Sequence, residues 1–296
     1  MTADSATTRA WLQIHFCVLL WGFTAILGKL ITLPALSLVL YRMLLVTAAL
    51  CVMPPFWRGV RALPRRSLAT YGLIGVVVAL HWLSFYAAVK LANASAAASC
   101  MALSPAFTAL IEPFSEGRKP ALRDLAFSLA VIPGALLVVG GTPATMHLGI
   151  AVGVLSALLG AAFSVLNKRF VAGAGALAMT GLEMAAGAAF IAIVGPLWVG
   201  RTELFVLPSA HDAWLLLVLA LGCTLLPFAL WLVTLRRLSA FATMLAVNME
   251  PVYTMLFAAL LLSEQHELQP KFYLGVAILI GVVVVYPMVT RRVVAA

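Results

Sequence analysis

Apolar runs about as long as a bilayer is thick, each closed by a turn or a charge cluster, dominate the pattern of this chain. They predict ten helices, near 11–31, 35–55, 69–90, 93–114, 122–140, 147–168, 176–198, 212–235, 239–262 and 272–290. At 1.5 Å of rise per residue, a helix needs roughly 20 apolar residues to cross the hydrocarbon. The breaks are turn-like or charged: Leu33-Pro34, Trp57 to Arg66, Glu116 to Pro120, Gly141-Thr142-Pro143, Gly173 to Gly175, Gly200 to Pro208, Arg236-Arg237 and Glu264 to Pro270. The shortest is Leu91 to Asn93. Without a tight turn there, 69–114 would be one helix of about twice the needed length.

Landmarks recur along the pattern in the same order. Leu20-Trp21-Gly22-Phe23 runs to Lys29, and Leu159-Gly160-Ala161-Ala162 runs to Lys168. Leu91-Ala92-Asn93-Ala94 leads to Pro105, and Leu238-Ser239-Ala240-Phe241 leads to Pro251. Ten crossings divide into five and five. Because five is odd, the second set starts from the opposite side, and the two halves, 11–140 and 147–290, are expected to be inverted repeats. Such repeats place a transporter's binding site at their interface, near the midplane.

Composition excludes a soluble domain. The chain is 64% hydrophobic and 10% charged with a mean hydropathy of +1.09, against roughly 45–50% and 25% in soluble proteins. The run from Trp11 to Ile31 is too long for a cleavable signal and reads as a retained first crossing. Cys17, Cys51, Cys100 and Cys223 all fall in apolar runs without a CxxC pair, so neither a metal site nor a disulfide framework is expected.

The net charge of +9 takes its meaning from where the basic residues lie. With the N-terminus in the cytoplasm, the inner side carries Arg9, Arg58, Arg61, Arg65, Arg66, Arg118, Lys119, Arg123, Lys168, Arg169, Arg236, Arg237, Arg291 and Arg292. The outer side carries Lys29, Lys90, Arg201 and Lys271, and Arg42 stays within a crossing. Such a bias is what orients membrane proteins, and it puts both termini inside. No basic patch with interleaved aromatics appears on a soluble segment, so no nucleic-acid partner is expected.

Trp21-Gly22 with Lys29, Arg42, the small-residue run from Ala94 to Pro105, and Asn248-Met249-Glu250-Pro251 followed by Glu264 resemble the EamA-type members of the drug/metabolite transporter superfamily. The resemblance covers about 11–290. Within the family the chain looks like the aromatic amino acid exporters of the YddG type. The resemblance implies an all-α integral membrane protein of the cell inner membrane, exporting amino acids or related small metabolites by alternating access.

Ionisable groups deep in a membrane are costly and need a partner, a wet cavity or a task. Glu250 lies near the middle of its crossing, beside Asn248 and before Pro251, which removes a backbone donor. It reads as a contact for a substrate ammonium or a proton, or as a bracing carboxylate paired to Arg42. Arg42 and its repeat counterpart Glu183 read as a gate or ion pair; a guanidinium also suits a substrate carboxylate. Lys29 and Lys168 near helix ends read as snorkelling cations. His81, with Trp82, Phe85 and Tyr86, sits at mid-depth, where aromatic residues depart from the usual interfacial belt. The candidate substrate contacts are therefore His81, Trp82, Tyr86, Asn248, Glu250, Trp21 and Tyr41, although hydrogen-bonded packing accounts for His81 equally well. Pro105 and Pro251 are candidate hinges, with Pro133 and Pro227 as further interruptions. Where the halves differ, Arg42 against Glu183 and Ser104 against Glu250, a substrate with distinct ends would be read. Gly134, Gly140, Gly275 and Gly281 suit close packing between helices or between protomers of a homodimer.

No Walker A sequence, zinc-protease motif or GxSxG elbow occurs, and the loops are too short for a catalytic domain, so neither an enzyme nor a cofactor or metal site is expected. Two other readings stand beside amino acid export: an exchanger of phosphorylated metabolites or nucleotide sugars, which should carry several cavity Lys or Arg, and a non-transporting membrane scaffold.

Overall fold

Helices form where the apolar runs lie, and prolines, an asparagine and two serines set most of their N-terminal ends. In the computed structural model, which describes residues 3–117, 119 and 121–294, no strand occurs among the described residues. Arg118 lies outside the described residues, as do the side chains of Arg123, Arg291 and Arg292. The first half runs α1 (Ala3–Leu30), α2 (Ala35–Cys51), α3 (Pro54–Arg61), α4 (Arg65–Leu91), α5 (Ala94–Met101), α6 (Ser104–Glu116) and α7 (Leu122–Gly140). The second runs α8 (His147–Phe170), α9 (Ala176–Val199), α10 (Arg201–Leu204), α11 (Ala210–Leu217), α12 (Leu226–Leu235), α13 (Ala240–Val247), α14 (Glu250–Leu261) and α15 (Pro270–Val294). Among the described residues, seven helical stretches are long and apolar enough to cross a membrane, or eight if α2 and α3 form one bent crossing. Shorter apolar stretches, Leu125–Val138 and Pro270–Val282, lie in α7 and α15.

Three expected crossings are not single straight helices. The run 35–55 stops at Cys51, and the chain turns by 90° into α3. Pro54 forces Met53 into an extended conformation, which ends α2 there. Trp57 donates from Nε1 to the freed Cys51 carbonyl at 2.7 Å. The run 93–114 is interrupted at Ala102–Leu103, ahead of Ser104-Pro105, and the run 239–262 at Asn248–Met249, ahead of Glu250-Pro251. Each proline sits in the first turn of the helix that follows, where its missing N–H is tolerated. The expected tight turn at Leu91–Asn93 is present, with Asn93 capping α5 by accepting from Ala96 N at 2.9 Å.

A different irregularity occupies 210–235. Between α11 and α12 the turns widen to π spacing over Val218–Leu225. Pro227 has no N–H to offer the Cys223 carbonyl, and its ring would crowd that carbonyl in an ordinary α turn. Within the segment the Thr224 hydroxyl donates to Leu219 O, five residues back, at 2.6 Å. π turns of this kind are frequent at functional sites.

The helices pack with α4 against α8 and α9, α2 against α9, α1 against α12 and α14, and α7 against α15. Gly75 brings the α4 and α9 backbones together: a Cβ there would stand 2.2 Å from Glu183 O. Gly134 and Gly275 serve α7 and α15 in the same way, since a Cβ on Gly134 would be 2.9 Å from Gly275 O. That pair is used within the chain, whereas Gly140 and Gly281 meet nothing within 4 Å.

Replacing Gly75 by Ala is expected to destabilise the protein by about 1–3 kcal/mol, because backbone atoms cannot step aside as a side chain can. Gly72→Ala, one turn earlier, meets only Ala186 Cβ at 3.8 Å and gains up to about 1 kcal/mol of helix propensity. Thermal unfolding of the two variants in detergent checks both, and equal melting temperatures would contradict the close approach.

Candidate functional site

Between the interrupted helices lies a cavity of ≈ 70 Å³. Its walls are largely aromatic. Trp21 meets Trp231 edge to face at 6.4 Å between ring centroids, and Phe163 meets Trp231 at 5.6 Å and His81 at 5.1 Å. Phe228 closes on Trp231 at 5.3 Å and on Trp82 at 6.2 Å. Phe85, Met101, Met244 and Val247 complete the apolar lining. Three polar groups stand out against it: Arg42, His81 and Glu250.

Arg42 is fixed from behind. Its Nε donates to Thr224 Oγ1 at 2.6 Å, its Nη1 donates to Tyr86 Oη at 3.0 Å, and the guanidinium lies 3.7 Å from the centre of the Trp82 ring. The wide π turn thus holds the acceptor that orients the guanidinium. A guanidinium carries five donor hydrogens, and these contacts use two. The side chain is stacked over an aromatic face.

His81 is anchored to α8. Its Nδ1 lies 2.8 Å from Ser156 O, and Ser156 Oγ donates to His81 O at 2.9 Å. A carbonyl only accepts, so this contact assigns the proton to Nδ1 and leaves Nε2 as an acceptor. Gly160 leaves room for the ring, since a Cβ there would lie 3.1 Å from His81 Cε1. Trp231 Nε1 is buried with no partner, an unspent donor on a side chain of the wall.

Glu250 begins α14, in the first turn after the break, and is buried. Ser104 begins α6 at the matching break of the first half and also lines the cavity. The two breaks touch, because Asn248 Nδ2 donates to Ala102 O at 3.3 Å. Both Pro105 and Pro251 follow the breaks directly.

Of the substrate contacts expected from sequence, His81, Trp82, Glu250 and Trp21 line the cavity. Tyr86 stands behind the wall. Its ring packs on Gly28 and its hydroxyl serves Arg42. Asn248 gives Nδ2 to Ala102 O and keeps a buried Oδ1 without a partner, and neither it nor Tyr41 lines the cavity. Arg42 and Glu183 do not form an ion pair. Arg42 takes Thr224 and Tyr86, and Glu183 takes Asn167, away from the cavity. Lys168 does not reach outward but caps the end of α12, donating to Leu235 O at 2.7 Å and Leu238 O at 2.8 Å. Phe163, Phe228 and Trp231 are additions to the expected set. Trp231 lies four residues from the end of its expected crossing, so the mid-depth signal used for Trp82 did not single it out.

The sequence matches the model of the EamA-like transporter family twice, over residues 9–140 and 147–286. A solved crystal structure of another protein superposes with a TM-score of 0.70 at 19% sequence identity, covering 97% of this chain and 99% of that one. At that identity the likeness concerns the fold. No curated protein matches the sequence significantly.

Arg42→Lys keeps the charge but cannot reach Thr224 and Tyr86 as a rigid fork. Leaving buried polar groups short of a partner costs about 1–3 kcal/mol, so the variant is expected to melt lower than the parent in detergent. An unchanged melting temperature would argue against this anchoring.

Proposed function

The chain belongs to the EamA-like transporter family, which makes it a multi-pass membrane transporter, and on that footing we propose that it exports amino acids from the cell across the inner membrane by alternating access. The observation that carries the substrate class is the pairing, in one aromatic cavity, of a guanidinium with unspent donors and a carboxylate that is not ion-paired to it. A zwitterion with an apolar or aromatic side chain complements that set. Arg42 takes the carboxylate, Glu250 takes the ammonium, His81 Nε2 accepts a further N–H, and the rings of Trp21, Trp82, Phe163, Phe228 and Trp231 cover the side chain. In this respect the protein resembles the exporters of aromatic amino acids.

The transport cycle rests on ten crossings arranged as two inverted repeats with both termini in the cytoplasm. Reciprocal contacts support that arrangement. Glu264, after α14, accepts from the N-terminal backbone of α5, and Glu112, in α6, accepts from that of α13. Each half therefore caps an interrupted helix of the other. The breaks at Ala102–Leu103 and Asn248–Met249 are the bending points, with Pro105 and Pro251 as their hinges. An exchanger of phosphorylated substrates is disfavoured, because Arg42 is the one basic side chain apart from His81 among the lining residues.

Counterflow in proteoliposomes with a panel of amino acids tests the proposal. Uptake of tryptophan, phenylalanine or tyrosine is expected, with little uptake of their decarboxylated or deaminated analogues. Glu250→Gln removes a contact to a charged group, about 1.5–3 kcal/mol, and is expected to reduce uptake by about tenfold or more. His81→Ala should also reduce it. Normal flux in both variants would rule out this binding mode.

A further inference from the structure

Outside the cavity, where α8 and α9 both pack on α4, a carboxyl of α9 and a carboxamide of α8 are sealed together. Glu183 and Asn167 are both 0% exposed. Asn167 Nδ2 donates to Glu183 Oε2 at 3.3 Å. The other two heteroatoms of the pair, Asn167 Oδ1 and Glu183 Oε1, are buried and have no hydrogen-bond partner. As an ionised carboxylate and an amide they are both acceptors, so neither can serve the other. Two unpaired buried oxygens, one of them charged, would be an expensive arrangement.

A single proton on Oε1 resolves both vacancies. A carboxylic acid and a carboxamide form a closed pair of hydrogen bonds, with Nδ2–H to Oε2 in one direction and Oε1–H to Oδ1 in the other. Turning the amide over does not remove the requirement, because Oδ1 would then face Oε2 and the proton would be needed there. No neighbour substitutes for it. Ser164 and Thr180, one turn away on their own helices, carry hydroxyl donors, but neither makes a hydrogen bond to Glu183 or Asn167. On α4, Tyr71 donates its hydroxyl to Phe170 O at 3.0 Å. On α2, Arg42 is held by Thr224 and Tyr86. Beyond α12, Arg236 bonds Ala174 O at 2.6 Å. Arg58 and Arg61 of α3, and Arg201 and Glu203 of α10, are exposed. Lys168, next to Asn167, is committed to Leu235 O and Leu238 O.

We infer that Glu183 and Asn167 form a proton-binding site separate from the substrate cavity, occupied in this conformation. Losing the proton removes the Oε1–H to Oδ1 bond and leaves a buried carboxylate oxygen facing a carbonyl oxygen, so release requires water to reach the pair. Gly75 presses the backbone of α4 against Glu183 itself, and α4 carries His81 and Trp82. A displacement of Glu183 therefore reaches the cavity through α4.

The inference does not depend on which molecule the cavity carries, and its test uses no substrate. Infrared difference spectra of the purified protein in lipid, taken through a pH titration, report the carbonyl stretch of protonated carboxyl groups directly. At neutral pH the wild type is expected to show a protonated-carboxyl band that Glu183→Gln removes. The variant should remain folded and melt like the wild type, because the Gln Nε2–H takes the place of the proton. Asn167→Ala supplies an independent reading, in which the band persists but moves to higher frequency as its hydrogen-bond partner is lost. The inference is overturned if Glu183→Gln leaves the protonated-carboxyl signal unchanged, or if Asn167→Ala does not shift it.

Discussion

Every backbone N–H and C=O exposed at the end of an interrupted helix must find a partner inside the protein, because hydrocarbon offers none. The architecture follows from that demand. The N-terminus of α5 is met by Glu264, whose two oxygens accept from Ala94 N at 3.1 Å, Ser95 N at 3.0 Å and Ser95 Oγ at 2.8 Å. The N-terminus of α13 is met by Glu112, which accepts from Ala240 N at 2.9 Å and Phe241 N at 3.2 Å. Carboxylates are the strongest acceptors for such groups and also suit the positive end of the helix dipole. The carbonyl ends receive cations. Lys90 donates to Ile31 O after α1, and Lys168 donates to two carbonyls at the end of α12. Charges that would be costly in lipid are thus retained where backbone groups would otherwise be orphaned.

The cavity is a consequence of the same breaks. A continuous helix over 94–116 or 240–261 would carry no first-turn residue at mid-depth. Interruption gives Ser104 and Glu250 that position, each opening a new helix beside the void. The spare backbone groups are tied locally, with Ala102 O accepting from Asn248. The polar atoms of the breaks are thereby shared between backbone repair and the wall of the site, and the prolines that cause the breaks keep them open.

Much of this was legible in the sequence, and what was hidden has a physical reason. Long apolar runs fixed the helices because length and hydropathy are local properties. Asn93 marked a turn for the same reason, since its side chain caps from within three residues. Facing is not local. Tyr41, Tyr86 and Trp231 sit in runs that are apolar on all sides, so the usual contrast between polar and apolar faces is missing and hydropathy cannot say which ring looks inward. Pro227 marked an interruption, but the π segment it produces at Val218–Leu225 also places the Thr224 hydroxyl against Arg42 across the bundle, a contact no local pattern reports. The expected pairing of Arg42 with Glu183 failed for a similar reason: repeat-mates occupy equivalent places in different halves, and equivalence does not bring them into contact.

A void in a protein invites collapse, since each unfilled ångström forgoes dispersion contacts. Here the walls resist it. The rings of Trp21, Phe163, Phe228 and Trp231 brace one another at tilted or edge-on angles, apart from the near-parallel Phe163–Phe228 pair at 24°, and aromatic side chains have few torsions through which to fold inward. Arg42 is pinned by a hydroxyl on each of two other helices, so it cannot swing across to neutralise Glu250. Holding the two groups apart leaves both facing the void. The rigidity of the walls and the polarity of the site are therefore one design: the contacts that stop the cavity from closing also stop it from satisfying itself.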